Sequence, residues 1–193
     1  MGDTDSELLG RCAAGEAAAL ETLYRRYVDR VWRFGWLRTH SREAAADIVQ
    51  ETVLRVARSA GDFQGRSSFA TWLFALTRSA AVDHARREGR HRAIGQRPGV
   101  LRLVPSADDA TDRIDDRQRD AVRRAVADLP CAQRDAVVLC ELLGWKVREA
   151  ADVLGWGESR VKVTLFRARR RLRDVLKGYL AKQSDTGRVG ASR

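Results

Sequence analysis

"VREAADVLGWGESRVKVTLFRARRRLRDVL", residues 147 to 176, decides how the whole chain is read. Ala150, Ala151 and Leu154 make the apolar face of one short helix, and "LGWGES", with Gly155 and Gly157, makes a turn. Val161, Leu165 and Ala168 form the inner stripe of a second helix, which Leu172 and Leu176 continue. Two helices joined by a short glycine-containing turn predict a helix-turn-helix, whose second helix enters the major groove with its first residues toward base edges. From 158 to 177 stand Arg160, Lys162, Arg167, Arg169, Arg170, Arg171, Arg173 and Lys177, against only Glu158 and Asp174. A helix that merely stays soluble would alternate Glu with those cations. This one reads as a phosphate-binding face. An arginine-rich RNA-binding helix is the alternative left open by the same residues.

Composition agrees with a polyanionic partner. The 193 residues suit one or two compact domains, and a hydrophobic fraction of 44% is that of a globular chain. Charged residues make up 32%, and the formal net charge is +10. So positive a balance points to nucleic acid, with a membrane surface as the competing reading for basic helices. No run of about 18 uncharged apolar residues is present, so no membrane insertion is expected. The N-terminus, "MGDTDSELLGRCAAGEAAALETLY", is acidic and reads as neither a secretory signal nor, despite Gly2, a useful lipid anchor. Cys12, Cys131 and Cys140 are odd in number and lack C-x-x-C spacing, which argues against a disulfide framework or a metal site. A cytoplasmic location without cofactors is the expectation. His40, His84 and His91 have no accompanying carboxylate or thiol set, which disfavours an enzyme.

Upstream the chain is helical almost throughout, because strand-like alternation is absent and Ala, Leu, Arg and Glu dominate. Residues 6–14 and 16–38 give two apolar-periodic segments, the second through Leu20, Leu23, Tyr24, Tyr27, Val31 and Phe34. "THSREAAADIVQETVLRVARSA" follows, with Ser41 or Thr39 as N-cap before Glu43. "GDFQGRSS" is a loop, and Phe69, Leu73, Leu76 and Ala80 mark the core face of a fourth helix. Trp72, Phe74 and Arg78 point partly away from that stripe. The predicted class is all-α, with two small helical domains, 1–88 and 119–180. A flexible linker over 89–118 carries Pro98 and Pro105, and a disordered tail occupies 181–193.

The first block offers two surfaces. With Ile48, Val49, Thr52, Val53 and Val56 inward, Asp47, Gln50, Glu51 and Arg55 are left as a polar strip, which taken alone reads as ordinary helix-surface pairing. The stretch from Gly65 to Arg87 is different, since it joins aromatics to a Gly/Ser loop and arginines. Unstacked bases sit on aromatics and in small polar pockets while cations follow the backbone. From composition alone, core packing is the plainer role of Phe69 and Trp72.

"LYRRYVDRVWRF", "DIVQETVLRV", "FQGRSSFATWLFALTRSAAVDHARR" and "ADLPCAQRDAVVLCELLGWKVREAADVLGWGESRVKVTLFRARRRL", in this order, resemble regions two and four of the extracytoplasmic-function (ECF) class of bacterial RNA polymerase sigma factors. The resemblance covers about residues 6 to 178. It implies no catalytic centre of the chain's own, and partners in core RNA polymerase (clamp helices and flap), promoter DNA and an anti-sigma factor. It assigns Asp47, Gln50 and Glu51, with Arg55, to the clamp helices of the polymerase. It assigns the loop Phe63, Gln64, Gly65, Arg66, Ser67 and Ser68, with Trp72, to capture of a flipped minus-ten base. Ser79, Asp83, Arg86 and Arg87 match the face that reads and holds the melted strand. Arg160, Lys162, Val163, Thr164 and Arg167, with Arg148, Ser159 and Arg171, match the minus-thirty-five reader. The linker would thread toward the active-site and RNA-exit channels, with Asp108, Asp109 and Asp112 imitating RNA charge.

Departures from that pattern are chemical. Ser79 stands where the family usually has Asn, giving shorter reach and fewer hydrogen bonds. Thr164 replaces an Arg that commonly reaches bases, while Arg160 appears one turn earlier, so base preference is expected to move. Val53 replaces a usual Phe, Ala150 a common Ile, and Lys146 is a poor N-cap, which together predict looser packing. Two other functions compete. One is a free-standing repressor or activator, and the other an RNA-binding adaptor.

Overall fold

The computed structural model describes residues 3–93 and 113–189, with side chains described for 3–89 and 120–177. The described residues form helices and turns without a strand. In chain order they are α1 (Asp5–Ala13), α2 (Ala17–Thr39), α3 (Arg42–Ser59), α4 (Phe69–Ala93), α5 (Arg113–Ala127), α6 (Cys131–Val137), α7 (Val147–Leu154) and α8 (Glu158–Val189). A 3-10 turn, Ala60–Asp62, follows α3, and a π-helical turn, Val138–Leu142, continues α6.

Helix ends follow local chemistry. Thr4 and Glu7 form a capping box at α1, the Glu7 carboxylate accepting from the Thr4 N–H at 2.7 Å. Ser41, rather than Thr39, caps α3 by accepting from the Ala44 N–H at 3.1 Å. His40 ends α2 in the left-handed region, at φ 54°, which directs the chain straight into α3. The α2–α3 crossing is tight at Gly35, where a Cβ would meet Ala45 Cα at 3.2 Å.

Two apolar clusters hold the chain. Leu8, Leu9, Ala19, Leu23, Val31, Val49, Val56, Phe69 and Leu73 close the first within the N-terminal block. The second runs through both blocks, taking Phe34, Ile48, Phe74, Ala80 and Ala81 together with Val126, Leu129, Val137, Leu139, Val153 and Val161. Helix α4 therefore buries two faces. Phe74, off the Leu stripe in sequence, is fully buried, edge-on to Phe34 at 5.9 Å and against Trp145 at 4.8 Å. The looser packing expected around Ala150 is not seen there, since Ala150 and Ala151 are buried where α7 meets α4.

Element bounds differ from the sequence reading in one sense, toward more helix. α4 runs on to Ala93, α5 starts at Arg113, and α8 extends to Val189, through most of the tail predicted to be disordered. Ala181, Lys182 and Gln183 are good helix formers and carry α8 into that tail, ahead of the poorer Ser184, Asp185, Thr186 and Gly187. Pro98, Pro105 and the acidic Asp108, Asp109 and Asp112 lie outside the described residues.

Candidate nucleic-acid and polymerase interfaces

The α7–turn–α8 unit forms as its sequence dictates. Gly155 takes the left-handed conformation at φ 65°, and the Trp156 N–H returns to the Ala151 carbonyl at 2.9 Å. Lys146 cannot cap α7 with its side chain, but Glu149 accepts from the Lys146 N–H at 2.9 Å, which supplies half of a capping box. Val161, Leu165 and Ala168 are buried, which turns Ser159, Arg160, Lys162, Val163, Arg167 and Arg171 outward, with Thr164 half-buried, and Arg148 of α7 is exposed as well. The Arg160 guanidinium lies 4.5 Å from the Trp156 ring centre, a stack that limits its freedom. Phe166 was missed in the sequence; it is 67% exposed beside Val163 on the same helix. Its register off the inner stripe was the available signal.

The loop before α4 rests on an aromatic floor. Phe63 lies 5.3 Å from Trp72, and Trp72 lies 6.0 Å from Phe69, so Trp72 is a half-buried support. Gln64, Gly65 and Arg66 project to solvent, with Gly65 at φ 67°, where a side chain would be strained. Ser68 caps α4, its Oγ accepting from the Thr71 N–H at 3.1 Å. Ser67 is half-buried beside it.

The sequence separates a polymerase strip on α3 from a strand face on α4, and the structure brings them together. Asp47, Gln50 and Glu51 share one cleft with His84 and Arg87. His84 Nε2 lies 3.6 Å from Asp47, and Arg86 lies 3.8 Å from Asp83. Arg55 crosses between the helices, with Glu51, Ser79 and Asp83 as hydrogen-bond acceptors. Burial opposes its charge, yet Asp83 and Glu51 hold its pKa above the ordinary arginine value. Next to the cleft, Tyr24, Val28, Trp32, Val53 and Leu54 line an apolar groove between α2 and α3. Tyr24 and Leu54, each 42% exposed, extend the surface beyond the polar residues predicted.

A further site lies where the two blocks meet. Asp135 of α6, 1% exposed, accepts from Arg38 Nε at 2.7 Å and from Arg78 Nε at 2.9 Å. Arg38, 2% exposed, also donates toward the Ala81 carbonyl at 3.4 Å, while Arg134 donates to the Arg38 carbonyl at 3.2 Å. Arg30 stands within 6 Å of the ring centres of Tyr27, Phe74 and Trp145, at 5.8, 5.7 and 5.8 Å. Ser68 and Thr71 face Leu143, Trp145 and Glu149 across a small cleft. His40 packs edge-on to Trp36 at 5.9 Å, and burial, then Arg134 and Arg123, hold its pKa below the ordinary histidine value. Burial raises the Cys12 and Cys140 thiols, which disfavours the reactive thiolate.

Among the described residues no group of three His, Cys, Asp or Glu could hold a metal ion, and no helix is long and apolar enough to cross a membrane.

Comparison with known proteins follows the same division. Residues 23–91 match Sigma-70 region 2, and residues 119–172 match Sigma-70 region 4. The ECF RNA polymerase sigma factor SigM of Mycobacterium tuberculosis is 33% identical over 177 residues, 92% of this chain and 86% of the relative. BldN of Streptomyces coelicolor, also named an ECF sigma factor, is 34% identical over 183 residues, 90% of this chain and 68% of the relative. In fold, the chain is similar to the sigma factor RpoE of Bartonella quintana, solved with the anti-sigma factor NepR. The TM-score is 0.65 and the identity 23%, over 81% of this chain and 96% of that one. CnrH, solved with the cytosolic domain of CnrY, gives a TM-score of 0.62 at 23% identity, over 91% of this chain and 99% of that one.

Proposed function

This chain belongs to the ECF class of RNA polymerase sigma factors, and from that premise we propose how its surfaces divide the work. As such a factor it binds core RNA polymerase and directs promoter-specific initiation. The α2–α3 groove and the strip of Asp47, Gln50 and Glu51 dock on the clamp helices of the polymerase. The loop from Phe63 to Ser68 takes a flipped minus-ten base, and the α4 face of Ser79, Asp83, Arg86 and Arg87 holds the melted strand. The outward face of α8 reads the minus-thirty-five duplex. The chemistry of RNA synthesis belongs to the polymerase, and the chain works where the polymerase is. Because RpoE, of this fold, is solved with an anti-sigma factor, a protein that covers both blocks is the expected silencing partner.

The observation that supports this reading best is the sorting of α8. Its apolar stripe is buried while Arg160, Lys162, Arg167 and Arg171 face solvent, joined by Arg148 of α7. The names of the two elements place them about 25 base pairs apart, roughly 85 Å of duplex at ~3.4 Å per step. Direct packing of α4 on α7 cannot span that separation. Engagement of both elements therefore requires the two blocks to part.

Run-off transcription with core polymerase on genomic fragments tests the function. Discrete core-dependent transcripts that also define a promoter are expected. Tight duplex binding by the chain alone, with no initiation, would favour a free-standing repressor and overturn the reading.

A further inference from the structure

Arg55 rises from α3, among the residues assigned to polymerase docking, yet two of its three partners stand on α4. Its Nε donates to Glu51 Oε1 at 2.8 Å, Nη1 donates to Ser79 Oγ at 2.8 Å, and Nη2 donates to Asp83 Oδ2 at 2.9 Å. Three acceptors on two helices fix both the position and the plane of the guanidinium. A guanidinium carries five N–H donors. Three are engaged here, and the two that remain lie on Nη1 and Nη2, at the far end of the side chain. The Arg55 side chain is 21% exposed and that of Asp83 40%, and Ser79 beside them is exposed. Ser79 is differently placed. Its oxygen accepts from Arg55, which leaves one O–H donor and one further lone pair on a short side chain.

We propose that Arg55, and not Ser79, contacts the melted strand on this face, and that Ser79 and Asp83 are positioning residues that hold its guanidinium in place. The proposal rests on the strand-holding role given to α4 above. It moves Arg55 out of the polymerase-docking set. The free N–H groups on Nη1 and Nη2 suit acceptors on the strand, either phosphate oxygens or a guanine edge. The Ser79 departure is then not a weakened reader but the acceptor that an arginine reader requires. A side effect is physical coupling, because Glu51, placed at the polymerase interface, also holds the strand contact.

The test uses the full chain reconstituted with core polymerase and a fluorescent single-stranded DNA pool randomised over the minus-ten region, the bound fraction being sequenced. Arg55→Gln is expected to weaken binding of the selected strand about 10-fold, the scale of a lost bidentate contact. Affinity for core polymerase should stay within about twofold, a change smaller than one net hydrogen bond. Ser79→Ala is expected to weaken strand binding by roughly threefold through a less firmly held guanidinium. Arg55→Lys keeps the charge but cannot serve three acceptors at once, and is expected to behave like Arg55→Gln. Loss of enrichment at one position identifies a base contact, and an even loss across all sequences identifies a phosphate contact. Either supports the proposal. Unchanged strand binding in Arg55→Lys and Ser79→Ala, with only a lower melting temperature, would reduce Arg55 to a tie between helices. A loss of core affinity without loss of strand binding would return it to the docking strip. Failure of the unaltered chain to select any strand while still binding core would instead overturn the strand-holding role of α4.

Discussion

Two of the clusters that bring arginine to carboxylate across helices differ in their surroundings. Arg38 meets Asp135 where water is nearly absent, the two being 2% and 1% exposed, while Arg78, 27% exposed, reaches the same carboxylate from the edge. Arg55 meets Glu51 and Asp83 at the rim of a cleft, where the three side chains are 21%, 26% and 40% exposed. The interior cluster joins the two blocks, and the exterior one ties neighbouring helices of a single block. A buried ion pair is poor glue compared with an apolar contact of the same size, because both charges lose their hydration. It has a compensating property: once the blocks part, every charged group in the joint is well solvated. The apolar part of the same joint, Phe34 and Phe74 against Trp145, has no such compensation and opposes opening. The interior cluster thus suits a contact that must open, and the exterior cluster suits a contact that must present donors to a ligand.

The comparison breaks most visibly at Asp135. Asp135→Ala leaves Arg38 buried without its carboxylate and is expected to cost about 3–5 kcal/mol of stability in denaturant melts. A loss below about 1 kcal/mol, the range of an exposed pair, would place the joint in the same class as the exterior cluster. Recognition of the minus-thirty-five duplex gives the next effect. Arg160→Ala should lower binding to the selected duplex by about 1–3 kcal/mol and relax preference at one base pair. A uniform loss at every position, with a reduced salt slope, would mark Arg160 as a phosphate contact instead.

A smaller effect concerns pH. His40 lies at the joint facing Trp36, Arg123 and Arg134, and its pKa is depressed by burial first and by the two arginines second. The folded chain therefore favours the neutral ring. The joint is at full strength above the ordinary value of 6.5 and weakens as pH falls from there toward the lowered folded value. Melts on either side of 6.5 check the sign, and His40→Asn, which tolerates the left-handed backbone, should flatten this part of the profile. The smallest effect is expected in the exterior cluster. Glu51→Gln should change stability by only about 0.3–0.5 kcal/mol, as for an exposed i,i+4 pair.

What the sequence made legible was local. Val161, Leu165 and Ala168 recur at helical spacing, and the structure buries all three. Ser41 stands one residue before a helix and caps it. The cations of α8 face outward because the same spacing leaves them no other direction. What stayed hidden depends on partners far apart in the chain. Arg38 and Asp135 are 97 positions apart, and Arg55 and Ser79 are 24 apart. No periodicity links such pairs, and an arginine on a basic chain reads first as a phosphate contact. Phe74 was hidden for a related reason. It lies off the stripe that packs within its own block, and it is buried by Trp145 from the other.

The central claim is that the joint of α4 with α7 is closed in the free chain and opens on the promoter, while the α3–α4 cluster stays intact. Energy transfer between dyes attached through non-natural residues at Glu21 of α2 and Asp174 of α8 tests it most directly. Both positions are exposed. High transfer is predicted for the free chain and low transfer for the polymerase complex on its promoter. Transfer that stays equally high in the promoter complex would contradict the account.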